Sequence, residues 1–286
     1  TIKIMNRNIF SPLALSRGWI KIAFAFFCFA SIAFAQNSAP GVATPPDVSA
    51  QGSDPKAEAI IKNAITALGG EAFLRIQSVT GRGLFTPYQG GGSTIPVTFV
   101  DYLVFPDRER TEFRSGRRIQ TIQTNTGNTG WVYDGAARTL RDLKPEQTQD
   151  FRITLRTGVD NILRGWWRAE GATLAYAGRR EAGLARRNEI VRLTYTDGFT
   201  VEFEFGAKDY LPAKVSYKRR NDEGKETAEE DRFAKYVAVE GVPFPFVIDH
   251  YRDGAQTSRI NYDSVAFNQP LPDSLFTRPA DAKAIR

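Results

Sequence analysis

The chain of 286 residues is 42% hydrophobic and 24% charged, with a formal net charge of +6 and a single cysteine, which excludes an intramolecular disulfide. Four basic and no acidic residues lie within the first 35 positions, so the rest of the chain has 34 basic and 32 acidic residues, a net charge of +2. A charge this close to balance argues against a nucleic-acid partner, and the length suffices for a sizeable core.

The N-terminal segment has the pattern of a secretory leader. A basic start leads into the apolar run 22–35, which closes with small residues up to Ala35. We predict a signal peptide over residues 1–35 that is cleaved after Ala35, because the run is shorter than the roughly 20 residues of a membrane span. Cleavage would also remove Cys28, and translation is expected to start at Met5.

A small, polar, proline-rich stretch over residues 36–53 follows and predicts a flexible linker. Asp54 then has the position of a helix cap, with Pro55 in the first turn and a Gly-Gly stop at 69–70. We expect residues 54–286 to form one domain. Apolar residues recur at helical spacing between the two signals, at Ala57, Ile60, Ile61, Ala64, Ile65 and Leu68.

From residue 78 onward the hydrophobic period changes to two. Val201, Phe203 and Phe205, for example, alternate with acidic residues, which is typical of a strand with one dry and one wet face. Asp-Gly pairs at 134–135, 197–198 and 253–254 supply the positive φ angles of tight hairpin turns. The sequence therefore predicts about a dozen antiparallel strands.

The segment 145–168 interrupts this pattern. Its apolar residues fall at i, i+4, i+8 and i+11 spacing, which predicts an amphipathic helix weakened by Gly158 and Gly165. Strands about 4.8 Å apart make a sheet on the order of 45 Å wide, whereas a helix is only about 10 to 12 Å across. The sheet must therefore either close on its own side chains or curl and leave an apolar trough under a helical lid.

Several stretches resemble a known family. They are "ALGG" and "EAFLRIQSV" in the N-terminal part, "TGWVYDG" at 129–135, and "VEGVPFPFVIDHYRDG" with "RINYDSVAFNQPLPDSLFTRP" near the C-terminus. Over roughly residues 55–280 the sequence resembles the bacterial outer-membrane lipoprotein-sorting proteins, the LolA/LolB-like family. The resemblance implies a mainly β fold with a helical lid (α+β), in which a strongly curved antiparallel sheet forms an unclosed β-barrel.

That resemblance also implies a function. Proteins of the family hold the acyl chains of lipoproteins in an apolar interior and carry them across the periplasm, and sensor domains related to RseB share the shell. We therefore expect a periplasmic protein of a Gram-negative-type bacterium, a monomer, that binds lipoproteins or lipid-like amphiphiles and hands them to an inner- or outer-membrane partner.

The predicted trough and lid are apolar, since acyl chains require only apolar area. Paired arginines, such as 179–180 and 219–220, could place one member inward, although cross-strand pairing with acidic residues is the plainer interpretation. The residues predicted to contact ligand are Phe99, Leu103, Phe105, Leu155, Leu163, Trp166, Trp167, Val191, Leu193, Tyr195, Val201, Phe203 and Phe205.

Catalytic and metal chemistry have little support in the sequence. His250 is the only histidine, and its neighbour Asp249 points to the opposite face of a strand. One histidine without cysteine leaves only carboxylates as metal ligands, and the Gly90–Gly92 run lacks the Lys-Ser/Thr of a phosphate loop. We predict a non-enzyme without cofactor or metal. A sensor module on the same shell, a hydrolase and a closed structural β-domain stay open as alternatives.

Overall fold

The computed structural model describes residues 53–183, 185–220 and 224–285. The predicted signal peptide over residues 1–35 lies outside the described residues, as does the predicted linker up to residue 52. Within the described ranges, no helix has the length and apolar character needed to span a bilayer.

Contacts divide the described residues into two units. The first unit holds residues 77–153 and 257–285, and the second holds residues 53–76 together with the described part of 154–256. Whether 54–286 behaves as one domain stays a prediction.

Strands account for most of the regular structure. The fourteen strands of the described residues are β1 Ser78–Gln89, β2 Gly92–Ser93, β3 Val97–Val104, β4 Arg108–Ser115, β5 Arg118–Thr126, β6 Thr129–Asp134, β7 Thr139–Asp142, β8 Thr173–Glu181, β9 Arg187–Thr194, β10 Thr200–Gly206, β11 Pro212–Arg220, β12 Glu226–Val239, β13 Val242–Arg252 and β14 Ala255–Phe267. The α-helices are α1 Pro55–Ala67, α2 Glu71–Leu74, α3 Pro145–Thr157 and α4 Val159–Arg164. Three 3-10 turns cover Trp166–Glu170, Asp273–Leu275 and Ala282–Ala284.

Strand order is simple in each unit. In the first unit it runs β7-β6-β5-β4-β3-β1-β14, with the short β2 paired to β1, and in the second it runs β13-β12-β11-β10-β9-β8. The pairings given for these strands are antiparallel. In this order β7 and β8 each have a neighbour on one side only, so the sheet is not closed. The predicted fold class, mainly antiparallel β with few helices and unclosed, is confirmed.

In the first unit, one sheet face is covered by the C-terminal tail, residues 272–285. Ile122 and Trp131 are buried there with Ile119 and Tyr133, and Ile285 of the tail packs against this cluster. The indole Nε1 of Trp131 donates to the carbonyl oxygen of Phe276 at 2.9 Å, which fixes the tail to β6. We call this side the tail face.

In the second unit, helix α1 covers the strands. Asp54 caps it as predicted, accepting hydrogen bonds from the backbone N–H groups of Lys56 and Ala57 at 2.8 and 3.4 Å. The helix buries its apolar stripe, Ala57, Ile60, Ile61 and Ala64, and it contacts β8, β9 and α4. The predicted helix signals therefore place a cover over the β8–β9 end of this unit.

The segment predicted as one lid helix over 145–168 is divided at its two glycines. Gly158 has an extended backbone with ψ of 136°, which separates α3 from α4. Gly165 adopts the left-handed conformation with φ of 74° and ends α4 before the 3-10 turn at Trp166–Glu170. Glycine reaches that conformation without the steric cost of a Cβ, so the two weak points noted in the sequence become breaks.

Turns follow the predicted chemistry in part. Asp253 and Gly254, between β13 and β14, both have positive φ angles of 49° and 79°, as a two-residue hairpin requires. Gly198 in the turn after β9 has a φ of 82°. The predicted turn at 253–254 is therefore confirmed, and at 197–198 the glycine alone has a positive φ angle. At 134–135 the prediction is wrong, because Gly135 does not have a positive φ angle and the left-handed residue between β6 and β7 is Arg138, with φ of 54°.

Candidate functional site

The face of the first unit opposite the tail face is rich in aromatic side chains. Strand register brings Phe99 of β3 opposite Phe113 of β4, and Leu103 lies on the same face. The rings of Phe85 and Phe113 lie 5.4 Å apart edge to face, and those of Phe99 and Tyr262 also lie 5.4 Å apart. We call these five residues the aromatic wall.

Close approach of two strands positions the tyrosine of this wall. A Cβ on Gly81 would lie 2.5 Å from Cε1 of Tyr262, so only glycine leaves room for the ring over β1. Tyr262 is thereby held across the wall beside Phe99. Tyr262, Phe85 and Phe113 were not among the predicted ligand contacts, because they lie on three different strands and only the strand register brings them together.

The aromatic wall is only partly covered by protein. Phe99 is 3% exposed, whereas Phe85, Leu103, Phe113 and Tyr262 are half-buried. On the tail face, by contrast, Ile122 and Trp131 are 0% and 2% exposed. The wall thus offers accessible apolar surface of the kind that hydrocarbon can cover.

A row of polar side chains crosses this apolar face. Asp101 lies two residues after Phe99, on the same face of β3. The hydroxyl of Thr111 donates a hydrogen bond to the carboxylate of Asp101. On the next pair of strands, Nδ2 of Asn125 donates to Oε2 of Glu109 at 3.4 Å. We call Asp101, Glu109, Thr111 and Asn125 the acid row.

The environment of the acid row favours protonated carboxyls. Burial raises the pKa of Asp101 to about 6, against the opposing effect of the Thr111 hydrogen bond. Burial and then the neighbouring charge of Asp101 raise the pKa of Glu109 to about 8. Burial, with both carboxylates contributing, also raises the pKa of Tyr262 well above its ordinary value. Near neutral pH the pair therefore carries about one negative charge.

Two of the sequence-predicted ligand contacts belong to the aromatic wall. They are Phe99 and Leu103, both on β3. Phe105 follows β3 and is half-buried, and its backbone N–H donates to the carbonyl of Gln77 at 2.9 Å. These three residues lie in the first unit.

The other predicted contacts lie in the second unit. Leu155 and Trp166 are half-buried, at the end of α3 and the start of the 3-10 turn. The remaining eight are 0% to 3% exposed, sealed by the protein's own side chains: Leu163, Trp167, Val191, Leu193, Tyr195, Val201, Phe203 and Phe205. Ligand contact at these residues stays a prediction.

His250 has a carboxylate partner that sequence reasoning missed. It faces Asp231 of β12 across the β12–β13 register, and Nδ1 lies 2.5 Å from Oδ1 of Asp231. Burial lowers the pKa of His250, but the carboxylates of Asp231 and, to a smaller extent, Asp249 and Glu229 together raise it above its ordinary value. In the described residues no group of three or more His, Cys, Asp or Glu could hold a metal ion.

The paired arginines take part in cross-strand ion pairs. Arg180 reaches Glu204 and Glu202 at 2.6 and 2.9 Å, and Arg219 reaches Glu229 at 3.2 Å. These contacts match the plainer interpretation of the pairs.

Two pockets of about 390 Å³ each lie along the seam between the tail and the strands of the first unit. One is lined by Trp131, Phe276 and the ion-paired Arg108 and Asp273. The other lies beside Ile119 and Leu275. Charged groups and the tail's backbone line both, so they suit a packing seam better than a hydrocarbon ligand.

Neither a protein-family model nor a curated protein matches the sequence. Solved structures do match the fold. A LolA superfamily protein from Nitrosomonas europaea has a TM-score of 0.52 and 14% identity, covering 78% of this chain and 97% of its own. The chain therefore has a fold similar to that of this LolA superfamily protein.

Two further structures agree with the LolA-like fold. A DUF1329 family protein from Desulfovibrio piger has a TM-score of 0.56 and 14% identity, and the match covers 82% of this chain and all of that one. A domain from Vibrio parahaemolyticus, assigned by its name to outer membrane lipoprotein sorting, has a TM-score of 0.51 and 12% identity over 77% of this chain and 96% of its own. At these identities the likeness concerns the fold alone.

Proposed function

We propose that this protein is a periplasmic carrier or chaperone that binds the acyl chains of lipoproteins or similar amphiphiles without catalysing a reaction. The observation that carries the proposal is the aromatic wall, an apolar sheet face that stays partly exposed, whereas on the opposite face the tail seals Ile122 and Trp131 of the neighbouring β5 and β6. Apolar surface of this kind on an exported protein is expected to be covered by a ligand or partner.

The fold supports the same function. Solved relatives in fold include a protein of the LolA superfamily and a domain named for outer membrane lipoprotein sorting. Function resides in sites rather than folds, so the likeness supports the proposal without carrying it.

The free energy of burying an acyl chain is sufficient for reversible binding. Each CH₂ removed from water contributes about 0.8 kcal/mol, so covering a whole C16 chain gives about 13 kcal/mol, from which association costs of at least about 4 kcal/mol are subtracted. A net affinity in the micromolar range would permit loading and release. Handover would then go to a membrane or an inner- or outer-membrane partner that offers comparable apolar cover.

Apolar residues of the second unit would contact the ligand only after a conformational change. Val201, Phe203 and Phe205 are sealed, so they would contact ligand only after the covering helices shift. The divided segment with breaks at Gly158 and Gly165 is the part that we expect to move. Cleavage after Ala35 would release the protein into the periplasm.

The test is native mass spectrometry of the protein purified from its own periplasm. We expect acylated species to copurify with the wild-type chain and to be depleted in Phe113→Ser, which removes the centre of the aromatic wall. Tyr102→Ser is the matched control, since Tyr102 is a half-buried aromatic residue of the neighbouring β3 on the opposite face.

Absence of any acylated or amphiphilic species from the wild-type protein would contradict the carrier proposal and favour a sensor role on the same fold. Equal depletion in Phe113→Ser and Tyr102→Ser would show that the wall is not the binding surface.

A further inference from the structure

The acid row is unexpected on a surface that only has to accept hydrocarbon. Two carboxyl groups, Asp101 and Glu109, lie among Phe99, Phe113 and Tyr262. A surface for hydrocarbon alone would be served by apolar residues at these positions, because buried polar groups are costly unless they are partnered. Their presence indicates that part of the ligand is polar.

An unpartnered acceptor in the row shows which kind of polar group fits. Asn125 is 2% exposed, and its Oδ1 has no hydrogen-bond partner among the described residues, although its Nδ2 donates to Glu109. Buried acceptors are normally satisfied. The row therefore presents carboxylate and amide oxygens and needs donors from a ligand.

Charge points the same way. Register places Asp101 and Glu109 on a face of β1, β3, β4, β5 and β14 whose one basic residue from these strands is Arg118, opposite Ser115 at the far end of β4. The guanidinium of Arg118 donates to the carbonyl oxygen of Gly135 at 3.0 Å. The titratable groups facing one another there are Asp101, Glu109 and Tyr262, and the pKa values of both carboxyls are raised. A cation brought by the ligand would compensate the negative charge, for which residues 53–183, 185–220 and 224–285 provide no ion pair.

We propose that the acid row recognises the ammonium group of an amine-bearing amphiphile whose hydrocarbon part lies on the aromatic wall. An ammonium has three donors and no acceptor, which complements the oxygens of Asp101, Glu109 and Asn125. The aromatic rings around the row add attraction for a cation. This inference rests on the proposed function and names the ligand class of the same site.

The experiment compares three ligands of equal chain length, namely dodecylamine, dodecanol and dodecanoate, each below its micelle concentration. Isothermal titration calorimetry near neutral pH with the signal-free chain should give an affinity for dodecylamine about tenfold or more above that for dodecanol, with dodecanoate weakest. The double variant Asp101→Asn/Glu109→Gln should lose this preference and keep dodecanol binding.

Glu112→Gln is the matched control, because Glu112 lies on the same strand β4 but on the opposite face, between Arg110 and Arg114. The amine preference should persist in this variant. Should the double variant fail to fold, the wild-type chain supplies a second measurement, since an alkylamine stays protonated while the carboxyls titrate. The preference for dodecylamine should then decline as the pH is lowered to about 4.

The outcomes separate the two proposals. Equal affinities for the three ligands, or an amine preference independent of pH, would overturn the ammonium site and leave the carrier function intact. No binding of any ligand would contradict the carrier function itself.

Discussion

The two units treat an apolar sheet face in opposite ways. In the second unit, Val191, Leu193 and Val201 are 0% exposed, and Phe203 and Phe205 are 1% exposed. In the first unit, Phe85, Phe113 and Tyr262 of the aromatic wall stay half-buried. The same alternating pattern therefore produces a solid core in one place and an accessible surface in the other.

The difference in exposure follows from which elements lie over each apolar sheet face. The second unit has helix α1 against β8 and β9, whereas the first unit places its tail on the face opposite the wall. Alternation specifies which face of a strand is apolar, but it does not specify what lies over that face. The uncovered face is where a ligand can act, and the substitutions below test this division, beginning with the largest expected effect.

Phe203→Ala should destabilise the protein most. The side chain is 1% exposed in the sealed face, so truncation leaves a cavity and should lower the free energy of unfolding by about 3 to 5 kcal/mol. Urea denaturation followed by circular dichroism measures the change. Phe113→Ala in the aromatic wall is the counterpart and should cost only about 1 to 2 kcal/mol, because water already reaches part of its ring. Equal losses would remove the contrast between the units.

Phe276→Ala probes the cover of the tail face. Phe276 is 4% exposed, and its carbonyl accepts the Trp131 indole hydrogen bond. We expect a loss near the lower end of the same range, about 3 kcal/mol, since a chain segment near the terminus can collapse partly into the space. Tryptophan fluorescence should report exposure of Trp131. Amphiphile binding at the wall should persist, and its loss would show that the two faces are coupled.

The acid row makes a prediction about pH. Folding raises the pKa of Asp101 from 3.8 to about 6 and that of Glu109 from 4.5 to about 8, so the folded chain holds protons that the unfolded chain releases. Below about pH 4 both carboxyls are protonated in the folded and the unfolded chain, so they do not affect the free energy of unfolding. As the pH rises towards 8 they lower the free energy of unfolding by up to a few kcal/mol.

Glu109→Gln isolates this contribution. The variant cannot ionise at that position, so its unfolding free energy should fall less between about pH 5 and about pH 8 than that of the wild-type chain. Urea titrations at several pH values give both slopes. Parallel slopes would mean that Glu109 ionises normally and that the wall is wetter than its burial indicates.

Much of the fold could be predicted from sequence because it depends on local signals. Asp54 and Pro55 start helix α1, and Asp253–Gly254 forms the expected hairpin turn. The LolA-like resemblance then supplied the unclosed arrangement, which periodicity alone left open. The lid segment was less predictable, since Gly158 and Gly165 interrupt a periodic pattern that otherwise continues across them.

Only part of the site could be predicted. Phe99 and Leu103 were selected as ligand contacts, but Phe85, Phe113 and Tyr262 join them through register between distant strands. The acid row was missed for the same reason, as Asp101 and Glu109 look like ordinary outward-facing residues in their own strands. The alternation predicted that Val201 and Phe203 share an apolar face, but whether the protein itself covers that face depends on helices elsewhere in the chain.

The smallest effect is expected at His250, which lies in the second unit but outside its sealed core. Its ion pair with Asp231 involves side chains that are 32% and 29% exposed, so solvent screens much of the attraction. The pKa of His250 is raised in the folded chain, so the pair stabilises the protein below the ordinary histidine pKa, and this stabilisation is lost as the pH rises through the folded value. His250→Gln should therefore lower the unfolding free energy by less than about 1 kcal/mol near pH 6 and have almost no effect near pH 9. Because a carrier requires no general base, His250→Gln should bind dodecanol as the wild type does. A variant that folds and binds dodecanol but no longer performs the protein's role in the cell would instead favour the hydrolase alternative.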